Sequence, residues 1–469
     1  MALTEKDLQE LPEDGIDPEN PGKYEVLLKE LQGNILRGHG RDYSVHLFLE
    51  FKPDKLVEVK QWIQTFAQKY LKSAKKQSDE AVNYRQNSIK GGLFTNFFLS
   101  CKGYEYLEIE PFLIPSDSPF RQGMKNENIR AVLGDPKVDQ WESGFQRQIH
   151  ALILIADDDI IALLQGVNQM MQKLRLVADI VHREDGFIFR NEAGQIIEHF
   201  GFVDGLSQPL FLKRDVVRSR IQDSGFSKWD SRAPLDIILT KDPNGKTEDS
   251  YGSYLVYRKL EQNVKKFRGE QESLAKALEI KKDLAGALVV GRFYDGTPVT
   301  LTDIPTFLHN ITNNFNYDDD LAGTKCPFHS HVRKMNPRGD TGNVVSSSGF
   351  DEALAVERKH RIARRGVSYG SNDPAHDPET DSGLLFLCFQ ADIENQFNFM
   401  QTRWANATGF VQANVGPDPI IGQPQGTQKW VKNWGLSDSK PLKFELCVTM
   451  KGGEYFFAPS LSFLQNITD

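Results

Sequence analysis

Gln148-Ile-His-Ala-Leu-Ile-Leu-Ile-Ala156, then Asp157-Asp158-Asp159, then Ile160-Ile-Ala-Leu-Leu-Gln-Gly-Val-Asn-Gln-Met-Met-Gln-Lys-Leu174 is the stretch that decides the fold. The first run is apolar over the length of one strand. The three aspartates end it, supply N-cap oxygens and complement the dipole of a following helix. Apolar residues then recur at helical spacing to about Leu174, and Val177 to Val181 reads as another strand. Upstream, Val45, Leu47, Leu49 and Phe51 alternate as in a half-buried strand that Pro53 ends. Lys55 to Leu71 places Leu56, Val59, Trp62, Ile63, Phe66 and Tyr70 on a helical face. Leu93 to Leu99 reads as a strand. The order strand, helix, strand, strand, helix, strand predicts a ferredoxin-like unit, an antiparallel sheet with helices on one face. Residues 111–146 form an insertion between its middle strands, and a helix is expected over Tyr24 to Leu36.

The second half is less regular. Gly252 to Tyr257 predicts a strand, Leu260 to Leu278 a charged helix and Leu384 to Phe389 a buried strand. A helix near Glu394 to Trp404 and strands at Phe444 to Met450 and Tyr455 to Phe457 follow. This order admits a second copy of the first topology, although no residue-level repeat is visible. The charged region from Arg214 to Lys282 reads as linker or surface insertion. The expected division is an arm at 1–43, a half at 44–213 and a second half at 214–469.

Composition excludes several classes. The chain has 469 residues, 39% hydrophobic and 26% charged, so it has ample length for a sizeable core. A net charge of −8 gives no basis for a nucleic-acid or anionic-membrane partner. No apolar run approaches the roughly 20 residues that span a bilayer. The acidic N-terminus lacks a secretory signal pattern, so a cytoplasmic location is expected. Cys101, Cys326, Cys388 and Cys447 are widely separated, which predicts reduced core thiols rather than disulfides or a zinc site.

Three polar clusters carry the chemistry. Gly201-Phe-Val-Asp-Gly-Leu-Ser-Gln-Pro209 sets the Asp204 carboxylate between glycines. Alone, the Asp-Gly pair is a turn signal; the glycines also permit close approach of backbone to a flat ligand. Cys326-Pro-Phe-His-Ser-His-Val-Arg-Lys-Met-Asn-Pro-Arg338 presents His329 and His331, which share a face if the segment is extended. A zinc site would need a third ligand, and neither HExxH nor a cysteine pair supplies one. One histidine on a haem iron is simpler. Arg364-Arg-Gly-Val-Ser-Tyr-Gly370 reads either as a solvated helix end with Gly366 at its C-terminus or as a guanidinium aimed at a small anion. Gly383-Leu-Leu-Phe-Leu-Cys-Phe-Gln390 is central sheet, whether or not it also lines a pocket.

Together these segments, in this order, and Leu31-Gln-Gly-Asn-Ile-Leu36, resemble the dye-decolorizing peroxidase family in its longer-chain members. The resemblance runs from about residue 31 to the C-terminus. It implies two ferredoxin-like halves of the dimeric α+β barrel type with haem b between them. It also implies Asp204 as distal acid–base, Arg364 as distal arginine and His331 as iron ligand. Asp418, in Gly416-Pro-Asp-Pro-Ile-Ile-Gly422, would accept the other N–H of His331. Leu384 and Phe386 would face the pocket, with Phe202 and Gly205 beside the haem. The implied partners are hydrogen peroxide and a bulky aromatic reductant such as an anthraquinone dye or a phenol, oxidised in one-electron steps. Homo-oligomer formation is left open. Because an aspartate titrates near 3.9 and a histidine near 6.5, an acidic optimum is expected. Two alternatives stand beside this reading: a haem-binding or iron-handling protein with incidental peroxidase activity, and a haem-free ferredoxin-like binding module.

Overall fold

Asp159 caps the helix that the aspartate run predicts, accepting the Ile161 and Ala162 N–H groups at 2.8 and 3.2 Å. The structure is a computed structural model that describes residues 2–307, 311–343, 350–371, 373, 377–424 and 426–469. The first half contains β1 (Tyr43–Phe51), α1 (Leu56–Tyr70), β2 (Phe94–Leu99), β3 (Ala151–Asp157), α2 (Ile160–Leu174) and β4 (Ala178–Phe187). Its strands pair in the order β4-β1-β3-β2, all antiparallel. That is the expected ferredoxin-like sheet.

The second half repeats the topology. It contains β5 (Tyr251–Gln262), α3 (Val264–Leu278), β6 (Val367–Tyr369), β7 (Gly383–Gln390), π-helical turns at Glu394–Asn398 and Met400–Ala405, and β8 (Val448–Ala458). Its strands pair as β8-β5-β7-β6. The two sheets join at Phe457 with Leu99 and at Phe187 with Ser368. The result is one closed, eight-stranded antiparallel barrel with helices outside, an α+β fold.

The barrel interior carries charge as well as apolar packing. Tyr257 bonds His46 at 3.0 Å, and the Lys259 ammonium lies 2.9 Å from Glu142 and 2.7 Å from Glu184. Side chains alternate along a strand. So Tyr257 and Lys259 point inward while Arg258, Leu260 and Gln262 point out of β5 into a cavity.

Several expectations need correction. The region 214–282 is neither linker nor insertion, because it contains β5 and α3. Its charges misled: Arg258 and Lys259 are buried in ion pairs with Asp135, Glu142 and Glu184. The charged helix starts at Val264, not Leu260, and buries Val264, Phe267, Leu274 and Leu278. The helix expected over Tyr24 to Leu36 stops at Glu30, where Leu31 turns extended and the Gln32 side chain bonds the Phe97 and Pro459 carbonyls. The two late strands merge into β8, which starts at Val448 and contains a bulge between Met450 and Gly452. β1 is buried along almost its whole length rather than half-buried, since the closed barrel covers its inner face. A further helix, Ala74–Asn87, precedes β2. Among the described residues no helix is long and apolar enough to cross a membrane, and all four cysteines are buried and free.

Candidate active site

A cavity of about 1810 Å³, open mouth included, lies outside the barrel against β5, β7 and β8. Its lining includes Phe202, Asp204, Gly205, His331, Arg364, Leu384 and Phe386. These segments are far apart in the chain, and the fold collects them. The cavity sits on the second-half sheet under the loop that leaves the first half, so residues of both halves line it.

Asp204 stands at the end of a short hairpin, where its N–H donates to the Ile196 carbonyl at 2.9 Å. The turn of that hairpin precedes the aspartate, so the Asp-Gly pair is not the turn itself. Asp204 Oδ1 accepts the Gly205 N–H at 2.6 Å and the Arg364 guanidinium at 3.0 Å. Burial pushes its carboxyl up, but Arg364 and the Gly205 N–H outweigh that and hold it below the ordinary aspartate value.

Arg364 is not at a helix end. The preceding helix stops at Lys359, and Ala363–Arg364 is a short strand paired with Phe389 and Cys388 of β7. The Gln208 side chain accepts the Arg364 backbone N–H at 3.0 Å, so one motif carries both the acid and a tether for its arginine. Arg365 points elsewhere and donates to the carbonyls of Asn34, Ile35 and Arg364.

His329 and His331 do not share a face. A turn from Pro327 to Ser330 interrupts the segment, and His331 opens the helix His331–Met335. His331 reaches the cavity. His329 is buried against Trp430 at 4.3 Å between ring centroids, and burial and Lys334 push its pKa down to about 3. His331 Nδ1 lies 2.8 Å from Asp418 Oδ2, so Nδ1–H donates there and Nε2 is left for another partner. The Asp418 Oδ1 accepts the Ile420 and Ile421 N–H groups at 2.7 and 3.1 Å. Burial raises the Asp418 carboxyl, yet His331 and those bonds bring it below the usual range. The helix itself is anchored by Arg333, which is fully buried between Asp320 and Asp340 at 2.8 and 2.6 Å. Lys334 adds bonds to the carbonyls of Ala407 and Gly416 at 2.6 and 2.9 Å.

Three further residues on the cavity wall escape sequence reasoning: Glu198, Arg292 and Arg361. Arg292 donates to the Gly296 and Thr312 carbonyls and the Asn313 side chain, and Arg361 to the Ser231 and Arg232 carbonyls. Among the described residues neither has an ion pair. Glu198 was legible only as a lone acid in an apolar run, three residues before Gly201. Elsewhere, Glu142, His182 and Glu184 have metal-ligand spacing, but the Lys259 ammonium already binds both carboxylates.

Residues 30–188 match the DyP dimeric alpha+beta barrel domain, and residues 314–413 match the C-terminal domain of Dyp-type peroxidases. The multifunctional dye peroxidase DyP2 of Amycolatopsis sp. is 38% identical over 466 residues, covering 95% of this chain and 97% of that one. The chain belongs to the dye-decolorizing peroxidase family. Its fold superposes on the solved DyP-type peroxidase of Anabaena sp. with TM-score 0.99 at 69% identity, covering 99% of this chain and 100% of that one. A dye-decolorizing peroxidase solved in complex with 2,6-dimethoxyphenol is 27% identical, with TM-score 0.76 over 94% of this chain and 99% of that one. The protein is thus a DyP-type peroxidase, a hydrogen-peroxide-dependent oxidoreductase.

Proposed function

We propose that the cavity binds haem b through His331, and that Asp204 and Arg364 activate hydrogen peroxide there for the one-electron oxidation of bulky aromatics such as dyes and phenols. The observation that carries this reading is the Asp204–Arg364 ion pair opening on the same cavity as a histidine whose Nδ1 is already engaged. The residues fit the group. His331 Nε2 would ligate the iron, and the Asp418 carboxylate on Nδ1–H would raise its donor strength. Leu384, Phe386 and Phe202 offer apolar surface for a flat ring, and the Gly205 backbone can approach it closely. Arg292 and Arg361, cations bonded among the described residues only to carbonyl and amide oxygens, suit its acid side chains. Haem, when bound, supplies the redox chemistry that cleaves the peroxide O–O bond.

Asp204 Oδ1 is occupied by two donors, so Oδ2 is the atom that takes a proton from peroxide and returns it to the departing oxygen. Arg364 keeps that carboxylate ionised before the reaction and stabilises negative charge as it develops on the leaving oxygen. The dye and phenol substrates follow from the names of the relatives above. Bulky substrates suit oxidation at the protein surface better than entry into a buried pocket.

We take residues 44–213 and 214–469 as the two halves behind an arm at 1–43. The cytoplasm is the compartment that best fits four free buried thiols. Stopped-flow mixing of the haem-loaded protein with peroxide tests the assignment: Asp204→Asn and Arg364→Leu should each slow the spectral change, and an unchanged rate removes the residue from its role.

A further inference from the structure

The hairpin that ends in Asp204 is folded by a side chain outside the recognised motif. Asp204 N–H donates to the Ile196 carbonyl at 2.9 Å, Ile197 pairs with Val203, and Glu198 N–H donates to the Phe202 carbonyl at 3.1 Å. The turn that closes this ladder runs through Gly201, which has φ of 99° and donates its N–H to the Glu198 carbonyl at 2.8 Å. Within the turn, the Glu198 carboxylate accepts the Phe200 N–H at 2.8 Å and the Phe202 N–H at 3.0 Å. The Gln262 amide, at the end of β5, donates to the same carboxylate. One side chain thus folds the turn and fastens it to the barrel.

The donor count requires a carboxylate. Three N–H groups converge on Glu198, and only an acceptor with two free oxygens receives them all. A glutamine in its place has one oxygen, and its amide hydrogens would face other donors. The turn is also held by its rings, with Phe200 stacked on Phe267 at 4.1 Å and Phe202 on Tyr294 at 4.2 Å. Glu198 faces the same cavity as Asp204. Burial pushes its carboxyl up to about 7 against its three hydrogen bonds, with Asp204 adding to the rise, whereas Arg364 holds Asp204 low.

We propose that Glu198 is a positioning residue for the peroxide step: its carboxylate sets the Glu198–Phe202 turn and, through the Ile196–Asp204 pairing, fixes where Asp204 Oδ2 stands. This inference rests on the reading of Asp204 as the proton carrier. A purely structural glutamate would leave the peroxide rate alone once the protein is folded and loaded. A positioning one changes that rate and the protection of two particular amides together.

The experiment compares Glu198→Gln, Gln262→Leu and Asp204→Asn with the parent chain. Amide hydrogen exchange at Phe200 and Phe202 is measured in the haem-free chain, and the rate with peroxide in the haem-loaded protein. Glu198→Gln should raise exchange at both amides by at least about 10-fold. It should lower the peroxide rate by about 10- to 100-fold, the cost of a misplaced reacting group. Gln262→Leu should move both readouts the same way by less, and it carries the rate test if Glu198→Gln loses haem. Asp204→Asn should lower the rate without raising exchange. Raised exchange with an unchanged rate in Glu198→Gln and Gln262→Leu, or unchanged exchange in Glu198→Gln, overturns the proposal. An unchanged rate in Asp204→Asn instead removes the Asp204 reading, and this inference falls with it.

Discussion

The Arg364 guanidinium donates to Asp204 Oδ1 at 3.0 Å, joining groups 160 residues apart in the chain. Each comes from a backbone held from outside: Asp204 by the Ile196 carbonyl, Arg364 by β7 and the Gln208 side chain. Among the described residues the other carboxylate oxygen, Oδ2, has no hydrogen-bond partner, and Arg364 with the Gly205 N–H holds the carboxyl below the ordinary aspartate value.

Asp204→Asn should slow the reaction with peroxide by about 10²- to 10⁴-fold, the usual worth of a placed acid–base group. The pH dependence has a definite sign. The folded-state pKa of Asp204 is depressed, so the ionised form persists as pH falls through the ordinary value near 3.9. Asp204 by itself should hold the rate through mildly acidic solution and lose it only below that value. Protonation of the Glu198 carboxyl, raised to about 7, should give a separate partial fall near neutral pH that is absent in Glu198→Gln. A stopped-flow pH series of Glu198→Gln whose acid limb has its midpoint above about 5 would contradict the Asp204 assignment.

Arg364→Leu and Arg365→Leu should separate cleanly. The first removes the partner of Asp204, so the peroxide rate should fall and the acid limb should move up in pH. The second leaves the carbonyls of Asn34 and Ile35 without their charged donor, at a cost of about 2 kcal/mol. It should lower the denaturation midpoint while the rate per loaded haem changes little. Equal loss of rate in both would sink the distinction.

His331→Ala should abolish the iron-ligated Soret spectrum, whereas His329→Ala should keep it. The latter opens a void beside Trp430 and should destabilise the fold by about 2–4 kcal/mol. Loss of the Soret band in His329→Ala with retention in His331→Ala would reverse the assignment.

Asp418→Asn should raise the reduction potential of the bound haem. The amide is a weaker acceptor for His331 Nδ1–H, so the imidazole donates less to ferric iron. A spectroelectrochemical titration showing the same or a lower potential would exclude this role.

Arg333→Met should be among the most destabilising single changes near the site. It strands Asp320 and Asp340, both buried, without their cation, at about 3–5 kcal/mol. Urea unfolding of the haem-free chain measures this apart from catalysis, and a loss under about 1 kcal/mol would argue against the anchor.

The first half was legible because most of its strands and helices carry an apolar run or a clear period, from Val45 through Val181, although the polar helix Ala74–Asn87 left no such mark. The second half was legible only in part: the strands around Gly252–Tyr257 and Leu384–Phe389 and the second copy of the topology could be read, but not the short strand Val367–Tyr369 or the full extent of β5. Arg258 and Lys259 look like surface residues in sequence but are buried in ion pairs, and pairing across distant segments leaves no local signal. The closure of both sheets into one barrel depends on single residue pairs at each seam, which no periodicity reveals. At the site, Asp204, His331, Arg364 and Asp418 stood in recognisable segments. The choice between His329 and His331, and between Arg364 and Arg365, turned on a turn at Pro327 and a two-residue strand. Glu198 escaped because its function lies in the backbone donors it gathers.

The most direct test is one rapid-mixing experiment on the haem-loaded protein and its Asp204→Asn variant. Each is mixed with one equivalent of hydrogen peroxide while the Soret band is followed. The account predicts a prompt change in the parent protein and a change slowed by at least about 100-fold in the variant. A parent Soret band that does not respond, or a variant that responds as fast as the parent, would contradict it.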